Sequence, residues 1–461
     1  MSKTIFALST IFGKSGVAVV RISGPDAKLT YSKLGGKEEL INRRATLSRL
    51  FSVDKSHIID YAIVIFFQSP ASFTGEDVLE LHVHGSIAVI NDLMQELHKL
   101  DFLRLAEPGE FTKRAFYNSK FDLTKAEALA DLLDAKTELQ KSVAIRNLSG
   151  ELENLYDAWR SSLIDILVTL EALIDFPEDD IPDKLLNNIN SEVLRLKSEI
   201  TRYIKTNQNN TSLNDGIRVT IIGPPNAGKS TLLNIFSQRD AAIVSDIAGT
   251  TRDIIESKVD IGGFPIVFAD TAGVRKTIDP LEQEGIKRAK KSLLNSDVAI
   301  FVFDASSESD LSYSEELIRD FSISRDDISS SIICLLNKSD LKPAAQEVKN
   351  AILNLGIPEC TMIPISLIDQ STAFDSIAEK LLPLIKAKYH VSATEPVITK
   401  LRHIHTLNDC VSHLSLFSLE KHLEIAAQDV RLAADALGRL TGKVNVEEVL
   451  DRIFSNFCIG K

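Results

Sequence analysis

Gly223-Pro-Pro-Asn-Ala-Gly-Lys-Ser230 decides the fold of one domain of this chain. It follows an apolar run rich in β-branched residues, Ile217-Arg-Val-Thr-Ile-Ile222, and opens into Thr231-Leu-Leu-Asn-Ile-Phe236. That order predicts a strand, a loop and a helix, the setting in which a glycine-bounded loop ending in Lys-Ser cradles phosphates. The glycines let the backbone curl so that its N–H groups meet phosphate oxygens at a helix N-terminus. Asn226, Ala227, Gly228, Lys229, Ser230 and Thr231 are therefore the expected nucleotide contacts. Lys229 brings a point charge to the β- and γ-phosphates, and the Ser230 hydroxyl is a ligand for Mg²⁺.

Two further segments follow in the order a GTPase core requires. Asp270-Thr-Ala-Gly273 ends the apolar run Phe264-Pro-Ile-Val-Phe-Ala269. Asp270 is placed to reach Mg²⁺ through water, Thr271 and Ala272 continue the contact, and the Gly273 N–H meets a γ-phosphate oxygen. Asn337-Lys-Ser-Asp340 ends a second run, Ile332-Ile-Cys-Leu-Leu336. Taken alone this tetrapeptide reads as a polar turn after a strand. Behind the two earlier motifs, Asn337, Lys338 and Asp340 read as a guanine site. The Asp340 carboxylate accepts from guanine N1–H and the 2-amino group; adenine offers neither donor, and a buried carboxylate left unpaired is costly. Ser366, after Met362-Ile-Pro-Ile365, falls where a last loop closes over the base.

Between these motifs lies Ser245-Asp-Ile-Ala-Gly-Thr-Thr-Arg-Asp253. Ser245, Asp246, Ile247, Ala248, Gly249, Thr250 and Thr251 suit a switch loop that closes over the γ-phosphate, with a threonine hydroxyl on Mg²⁺. Arg252 reads either as an internal arginine finger or as the partner of a neighbouring acid such as Asp253. The residue after Asp-Thr-Ala-Gly is Val274, which cannot orient water as the glutamine of Ras-like enzymes does. Glu282 and Glu284 follow, either as groups that act on the water or as solvated carboxylates on a helix.

With 461 residues the chain has room for two to four domains. Cys334, Cys360, Cys410 and Cys458 show neither metal-ligand nor paired spacing, as expected in a reducing compartment. The sequence shows no signal-peptide pattern and no apolar run of membrane-spanning length, so a soluble, cytoplasmic protein is expected. The net charge of -12 is unlike the basic surface of a free-standing nucleic-acid binder, so any RNA contact has to be local or shared with a partner.

Four stretches differ in texture. Residues 1–118 mix strands and helices. Residues 119–215 are helical in pattern, with Asp122 placed as a cap and Thr206-Asn-Gln-Asn-Asn-Thr-Ser212 read as a polar linker. Residues 216–380 carry the nucleotide motifs, and residues 381–461 are helical again, with a break at Thr441-Gly442. The arrangement reads as one helical domain with the GTPase inserted in it, or as two helical domains in series. Near the N-terminus, Asp77-Val-Leu-Glu-Leu-His-Val-His84 alternates, so Glu80, His82 and His84 share one strand face. They read as a polar pocket or solvated face rather than a metal site, because no further ligand group is spaced to join them.

The phosphate loop, Ala248-Gly-Thr-Thr-Arg-Asp253, the apolar residue after Asp-Thr-Ala-Gly and the final Cys458-Ile-Gly-Lys461 together resemble the MnmE (TrmE) family of tRNA-modification GTPases. The likeness extends to Val20-Arg-Ile-Ser-Gly24, Ser72-Phe-Thr-Gly-Glu-Asp77, His84-Gly85, Glu107-Pro-Gly-Glu-Phe-Thr-Lys-Arg-Ala-Phe116 and Asp122-Leu-Thr-Lys-Ala-Glu127, so it runs essentially end to end. It implies a multidomain fold: an α+β N-terminal domain that binds tetrahydrofolate and forms a homodimer, an α-helical central domain, and an inserted α/β P-loop GTPase domain. It also implies action with the flavoprotein MnmG, in a heterotetramer, to place a carboxymethylaminomethyl or aminomethyl group on C5 of the wobble uridine of certain tRNAs. A 5-formyl or 5,10-methylene tetrahydrofolate would supply the one-carbon unit, and K⁺ would stimulate GTP hydrolysis. By motif, Asn226, Ser245, Ile247 and Thr250 would hold K⁺, Ser230 and Thr251 would hold Mg²⁺, and Glu282 would be the catalytic glutamate. Arg21, Glu80, Lys120 and Lys461 fall on the folate-contacting positions. Ser15 stands where the family commonly has glycine, and Leu367 where alanine is typical. A GTPase of ribosome assembly and a scaffold that only binds nucleotide are the competing readings.

Overall fold

The computed structural model describes residues 3–175, 183–224, 226–237, 256–270, 293, 296–305, 332–341, 346–354, 361–389, 391, 395–420, 422–444, 450, 453–455, 457 and 459–460. These belong to two compact units: residues 1–130, 147–193 and 412–461 in the first, residues 131–146 and 194–411 in the second.

The first unit opens with β1 (Thr4–Leu8), β2 (Ser15–Ser23), α1 (Ala27–Lys33), β3 (Thr46–Phe51), β4 (Ile58–Phe67), β5 (Val78–Gly85), α2 (Ile87–His98), β6 (Leu103–Leu105) and α3 (Glu110–Tyr117). The strands form one sheet in the order β3-β4-β5-β2-β1-β6, antiparallel except for the β1–β6 pair. Alternation along β5 buries Leu79, Leu81 and Val83 with Val20 and Ile22 of β2 and Leu93 and Leu97 of α2. Glu80, His82 and His84 face the other way, as their spacing requires. Burying this apolar side at about 25 cal/mol per Å² is what holds α2 to the sheet.

Helices α4 (Leu123–Asp134), α5 (Glu138–Leu148), α6 (Glu151–Asp175), α7 (Asp183–Asn207) and α8 (Ser212–Asp215) come next. Asp122 caps α4 as expected, its carboxylate accepting from the N–H groups of Thr124 and Lys125 at 3.2 and 2.9 Å. Burial raises the pKa of that carboxyl. The Thr206–Ser212 stretch departs from the linker reading. Thr206 and Asn207 finish α7, and Asn207 and Asn210 are buried. The Asn207 side-chain oxygen accepts from Ile398 N at 3.0 Å and from Asn210 Nδ2 at 3.1 Å. Asparagines without periodicity looked like solvated chain, but here they satisfy buried backbone groups.

The second sheet begins with β7 (Ile217–Ile222), followed by α9 (Lys229–Ser237), β8 (Glu256–Ile261), β9 (Phe264–Asp270), β10 (Val298–Asp304), β11 (Ile332–Asn337), α10 (Gln346–Asn354), β12 (Met362–Pro364) and α11 (Gln370–Lys388). Its order is β12-β11-β10-β7-β9-β8, parallel throughout except that β8 runs antiparallel to β9. Every residue of β10 and β11 is buried, the signature of parallel strands covered on both faces. Phe236 of α9 stacks on Phe268 of β9 at 4.1 Å, and Ala373, Ile377, Leu381 and Ile385 of α11 complete this core together with Val143 of α5.

Two more helices, α12 (Leu401–Leu416) and α13 (Leu423–Thr441), follow, and Gly442 ends α13 in the left-handed region (φ 83°) at the expected break. In the first unit, α13 lies along α6 and buries small residues, among them Ala426, Ala427, Ala433 and Ala434, that permit a close approach. Lys443 and Asp157 pair at 2.6 Å beside this contact.

Candidate functional site

Because β7, β9, β10, β11 and β12 run parallel, the loops that leave their C-terminal ends gather on one edge of the sheet. The chain passes from β7 to β9 on one side and to β10 on the other, and a crevice at such a reversal is where ligands of open α/β sheets bind. The loop before α9 leaves β7 at this point. Asp270 ends β9, Asn337 ends β11, and Ile365-Ser366-Leu367 follows β12.

Two glycines of the phosphate loop have no room for a side chain. A Cβ on Gly223 would lie 2.2 Å from the Val302 carbonyl oxygen of β10, so the backbone passes too close for any side chain. Gly228 has φ 113°, and a Cβ there would meet Asn337 Nδ2 at 2.4 Å. Asn226 holds φ 64° and is exposed. Lys229 and Ser230 begin α9, with the exposed Ser230 hydroxyl beside the positive end of the helix dipole. The Lys229 ammonium donates to the carbonyls of Gly223 and Pro224 at 2.6 Å each, which holds its charge over the loop.

Asn337 joins the motifs. Its Nδ2 donates to the Ala227 carbonyl at 2.7 Å, and its Oδ1 accepts from Leu367 N at 3.2 Å. One buried amide thus fixes the glycine loop before α9, the end of β11 and the loop after β12 to each other. Lys338, in the left-handed region at φ 62°, pairs with Asp304 at 2.5 Å. The Ser339 N–H donates to Ile365 O at 3.1 Å, leaving Asp340 exposed on the following turn. Asp304 was not singled out from sequence, although an acid closing the run Val298-Ala-Ile-Phe-Val-Phe303 is a visible signal. The Leu367 departure also has its explanation: the side chain is 5 % exposed and lies against Gly228 as part of the core.

Glu282, Ser245, Asp246, Ile247, Ala248, Gly249, Thr250, Thr251, Thr271, Ala272, Gly273, Val274, Glu284 and Arg252 lie outside the described residues, as do Cys458 and Lys461.

A second polar constellation occupies the N-terminal sheet, on the face opposite its main core. Arg21 and Glu80 are register partners across β2 and β5, and the guanidinium donates to the carboxylate at 3.0 and 2.9 Å. His82 Nε2 lies 3.2 Å from the other Glu80 oxygen. The rings of Phe73 and Phe111 stand 5.4 and 5.8 Å from the guanidinium carbon. Arg114 ties the flanking segments together, meeting Glu76 at 2.8 Å, Glu110 at 3.0 Å and the Lys3 carbonyl at 2.8 Å. Burial alone would push the Glu110 carboxyl up. Arg104, the Glu107 N–H and Arg114 together bring it below its ordinary value.

Lys120 is exposed at the end of the turn after α3, its Cε near Gly75. Gly460 accepts from the Ser9 hydroxyl at 3.1 Å, and a Cβ on it would meet the Leu8 carbonyl at 2.3 Å. The residue before Lys461 is therefore seated at the end of β1, whose Ala7 pairs with Arg21. Ser15 opens β2 opposite Gly85, where its Oγ fills the space a Cβ on Gly85 would need.

Among the described residues, the one metal-compatible group of three is not this face but His57, Asp92 and Glu96. Glu96 there is already engaged by the Lys99 ammonium and by Val53 N. No helix among the described residues is long and apolar enough to cross a membrane.

Comparison with known proteins covers the whole chain. A family model of the TrmE N-terminus, described as a GTP-binding protein, matches residues 4–120, and one of the MnmE helical domain matches residues 123–458. The chain is 44 % identical over 464 residues to the tRNA modification GTPase MnmE of Rickettsia typhi, and 45 % identical to those of Rickettsia akari over 464 residues and Rickettsia conorii over 462, with 100 % of both chains covered each time. With matches spanning its whole length and a guanine-nucleotide loop set built on one sheet edge, the chain belongs to the MnmE family of tRNA modification GTPases.

Proposed function

We propose that this chain hydrolyses GTP to GDP and phosphate in order to drive modification of the wobble uridine of tRNA. The observation that carries the reading is the Asn337 bridge, which holds a phosphate loop and a guanine-type Asn-Lys-x-Asp loop in one rigid frame. In this reading Lys229 neutralises phosphate charge, Asp340 selects guanine, and Ser366 lies beside the base. The Ser230 hydroxyl is the kind of hard oxygen ligand that Mg²⁺ takes, with Thr251 as its partner. The Asn226 side chain is exposed on the loop and offers an amide oxygen to K⁺, with Ser245, Ile247 and Thr250 completing the set. Bound K⁺ would supply positive charge beside the phosphates as the β–γ bond breaks, and Glu282 would act on the attacking water, which Val274 cannot orient.

The proposed division is an N-terminal domain over 1–118, a helical domain over 119–215 and 381–461, and the GTPase domain over 216–380 between its halves. Arg21, Glu80, Lys120 and Lys461 would hold a tetrahydrofolate. A carboxylate and guanidinium flanked by two phenyl rings offer matched hydrogen bonds and an apolar wall to a flat heterocycle, which suits a pterin. The one-carbon unit would then reach C5 of the uridine jointly with MnmG, as a carboxymethylaminomethyl or aminomethyl group. A homodimer through the N-terminal sheet is supported by Leu47, Tyr61 and Ile63, apolar side chains 69, 51 and 46 % exposed on one outward face of β3 and β4. The protein would act in the cytoplasm.

Nucleoside analysis of tRNA from a strain lacking this protein tests the reading. Loss of the modified wobble uridine is expected. A normal nucleoside profile would return the chain to the ribosome-assembly reading.

A further inference from the structure

The C-terminal half of α7 presents a face unlike the rest of this acidic protein. From Leu194 to Asn207 it carries Arg195, Lys197, Arg202 and Lys205 against one acid, Glu199. Glu199 is occupied by Arg195 one turn away, at 2.7 Å. Lys197, Arg202 and Lys205 have no ion-pair partner among the described residues. They line an open groove of about 550 Å³ together with the hydroxyl-bearing Ser198, Thr201 and Thr206. The opposite face of the helix is committed to packing: Leu196, Ile200, Tyr203 and Ile204 are buried, and the Tyr203 hydroxyl donates to Pro396 O at 2.8 Å. The cations therefore sit on a braced helix rather than a loose tail.

We propose that this face of α7 contacts the phosphate backbone of tRNA, an inference that rests on the tRNA reading above. Charge complementarity selects the occupant. With a net charge of -12, an RNA polyanion is repelled by most of this surface, so a contact forms only where cations are locally unopposed. Lys197 and Lys205 are separated by about 12 Å along the helix axis, a span that reaches a few consecutive phosphates. Arg202 adds a planar fork for phosphate oxygens, and hydroxyls are common phosphate donors. Cations and hydroxyls spaced along one helix face match the repeat of a phosphate backbone, a contact that positions tRNA rather than choosing its sequence.

The test uses the full-length protein and an unmodified tRNA transcript, titrated by filter binding at several KCl concentrations. In one variant the charges are removed by K197Q, R202Q and K205Q; in the other they are kept by K197R, R202K and K205R. Removal is expected to weaken tRNA binding on the order of 10-fold at low salt and to flatten the log–log salt slope by about 2. The charge-keeping variant should keep the wild-type salt slope and most of the affinity, losing only the Arg202 fork, and tRNA-independent GTP turnover and helical circular dichroism should be unchanged in both. Equal tRNA affinity and slope for the charge-removed variant would overturn the proposal while leaving the tRNA reading intact. The same result with loss of wobble modification in cells would assign this face to an acidic protein partner instead. If the wild-type protein shows no salt-dependent binding of tRNA, the underlying reading fails and the proposal with it.

Discussion

The Asn337 side-chain amide donates to the Ala227 carbonyl across 110 positions of sequence, at 2.7 Å and away from solvent. It ties the end of β11 to the glycine loop before α9, so in the proposed reading the base and phosphate sites move together.

Asn337→Ala should therefore weaken GTP and GDP together. It strands a buried carbonyl and the Leu367 N–H, at about 1–3 kcal/mol for each group left unsatisfied. Titration with fluorescent analogues of both nucleotides checks this, and a loss confined to GTP would contradict the bridging role.

Asp340→Asn is expected to behave differently. The exposed side chain bonds no group among the described residues, so stability should hold while GTP affinity falls by about 1.5–3 kcal/mol and selection against xanthine nucleotides relaxes. Competition between GTP and XTP on the purified variant measures the change.

Gly223→Ala puts a methyl group 2.2 Å from the Val302 carbonyl oxygen, a backbone atom that cannot move without disturbing β10. Nucleotide binding should be lost, and the thermal midpoint should fall with it. A variant with wild-type affinity and midpoint would show that β7 and β10 can separate more easily than their pairing implies.

Glu80→Gln should abolish folate binding in calorimetry and leave GTP turnover in place. The substitution removes the charge that holds Arg21 at 2.9 Å between Phe73 and Phe111. Loss of GTP turnover in a folded Glu80→Gln protein would mean that the two sites are not chemically separate.

Acid sensitivity should depend partly on Glu38. The Tyr31 hydroxyl donates to it at 2.6 Å, and with backbone N–H groups and Ser48 it brings the carboxyl down to about 2 from 4.5. The folded value lies below the unfolded one, so this contribution is complete above about pH 4.5 and disappears as the pH falls through 2. Glu38→Gln should flatten the pH dependence of the unfolding midpoint over that window; an unchanged profile would assign acid unfolding to other carboxylates.

Much of the second sheet was legible because its strands are short apolar runs, each ended by a polar motif. Ile332–Leu336 before Asn337 shows this, since burial on both faces leaves no competing pattern. The alternation of Leu79, Leu81 and Val83 made β5 equally readable. The short strands β1, β3 and β6 were not, because three to six residues carry too few alternations to separate strand from loop. The Asn207–Asn210 joint escaped for a different reason: asparagine is as common in solvated turns as in buried hydrogen-bonded corners, and its partner, Ile398, is 191 positions away. The same limit hid the Lys338–Asp304 pair and the seat of Gly460 on Leu8, whose partners are set by topology rather than spacing.

The pairing of α6 with α13 has a consequence for biosynthesis. The N-terminal sheet has all its strands once Leu105 has left the ribosome, and it can close early. Helix α6 emerges soon afterwards with Leu152, Tyr156, Trp159, Leu163, Ile166 and Leu170 along one side, yet α13 starts only at Leu423. At ordinary elongation speeds that interval is on the order of tens of seconds. During this time an apolar, aromatic stripe lacks its α13 cover, so the nascent chain is expected to engage holdase chaperones until the last tenth of the protein is being translated.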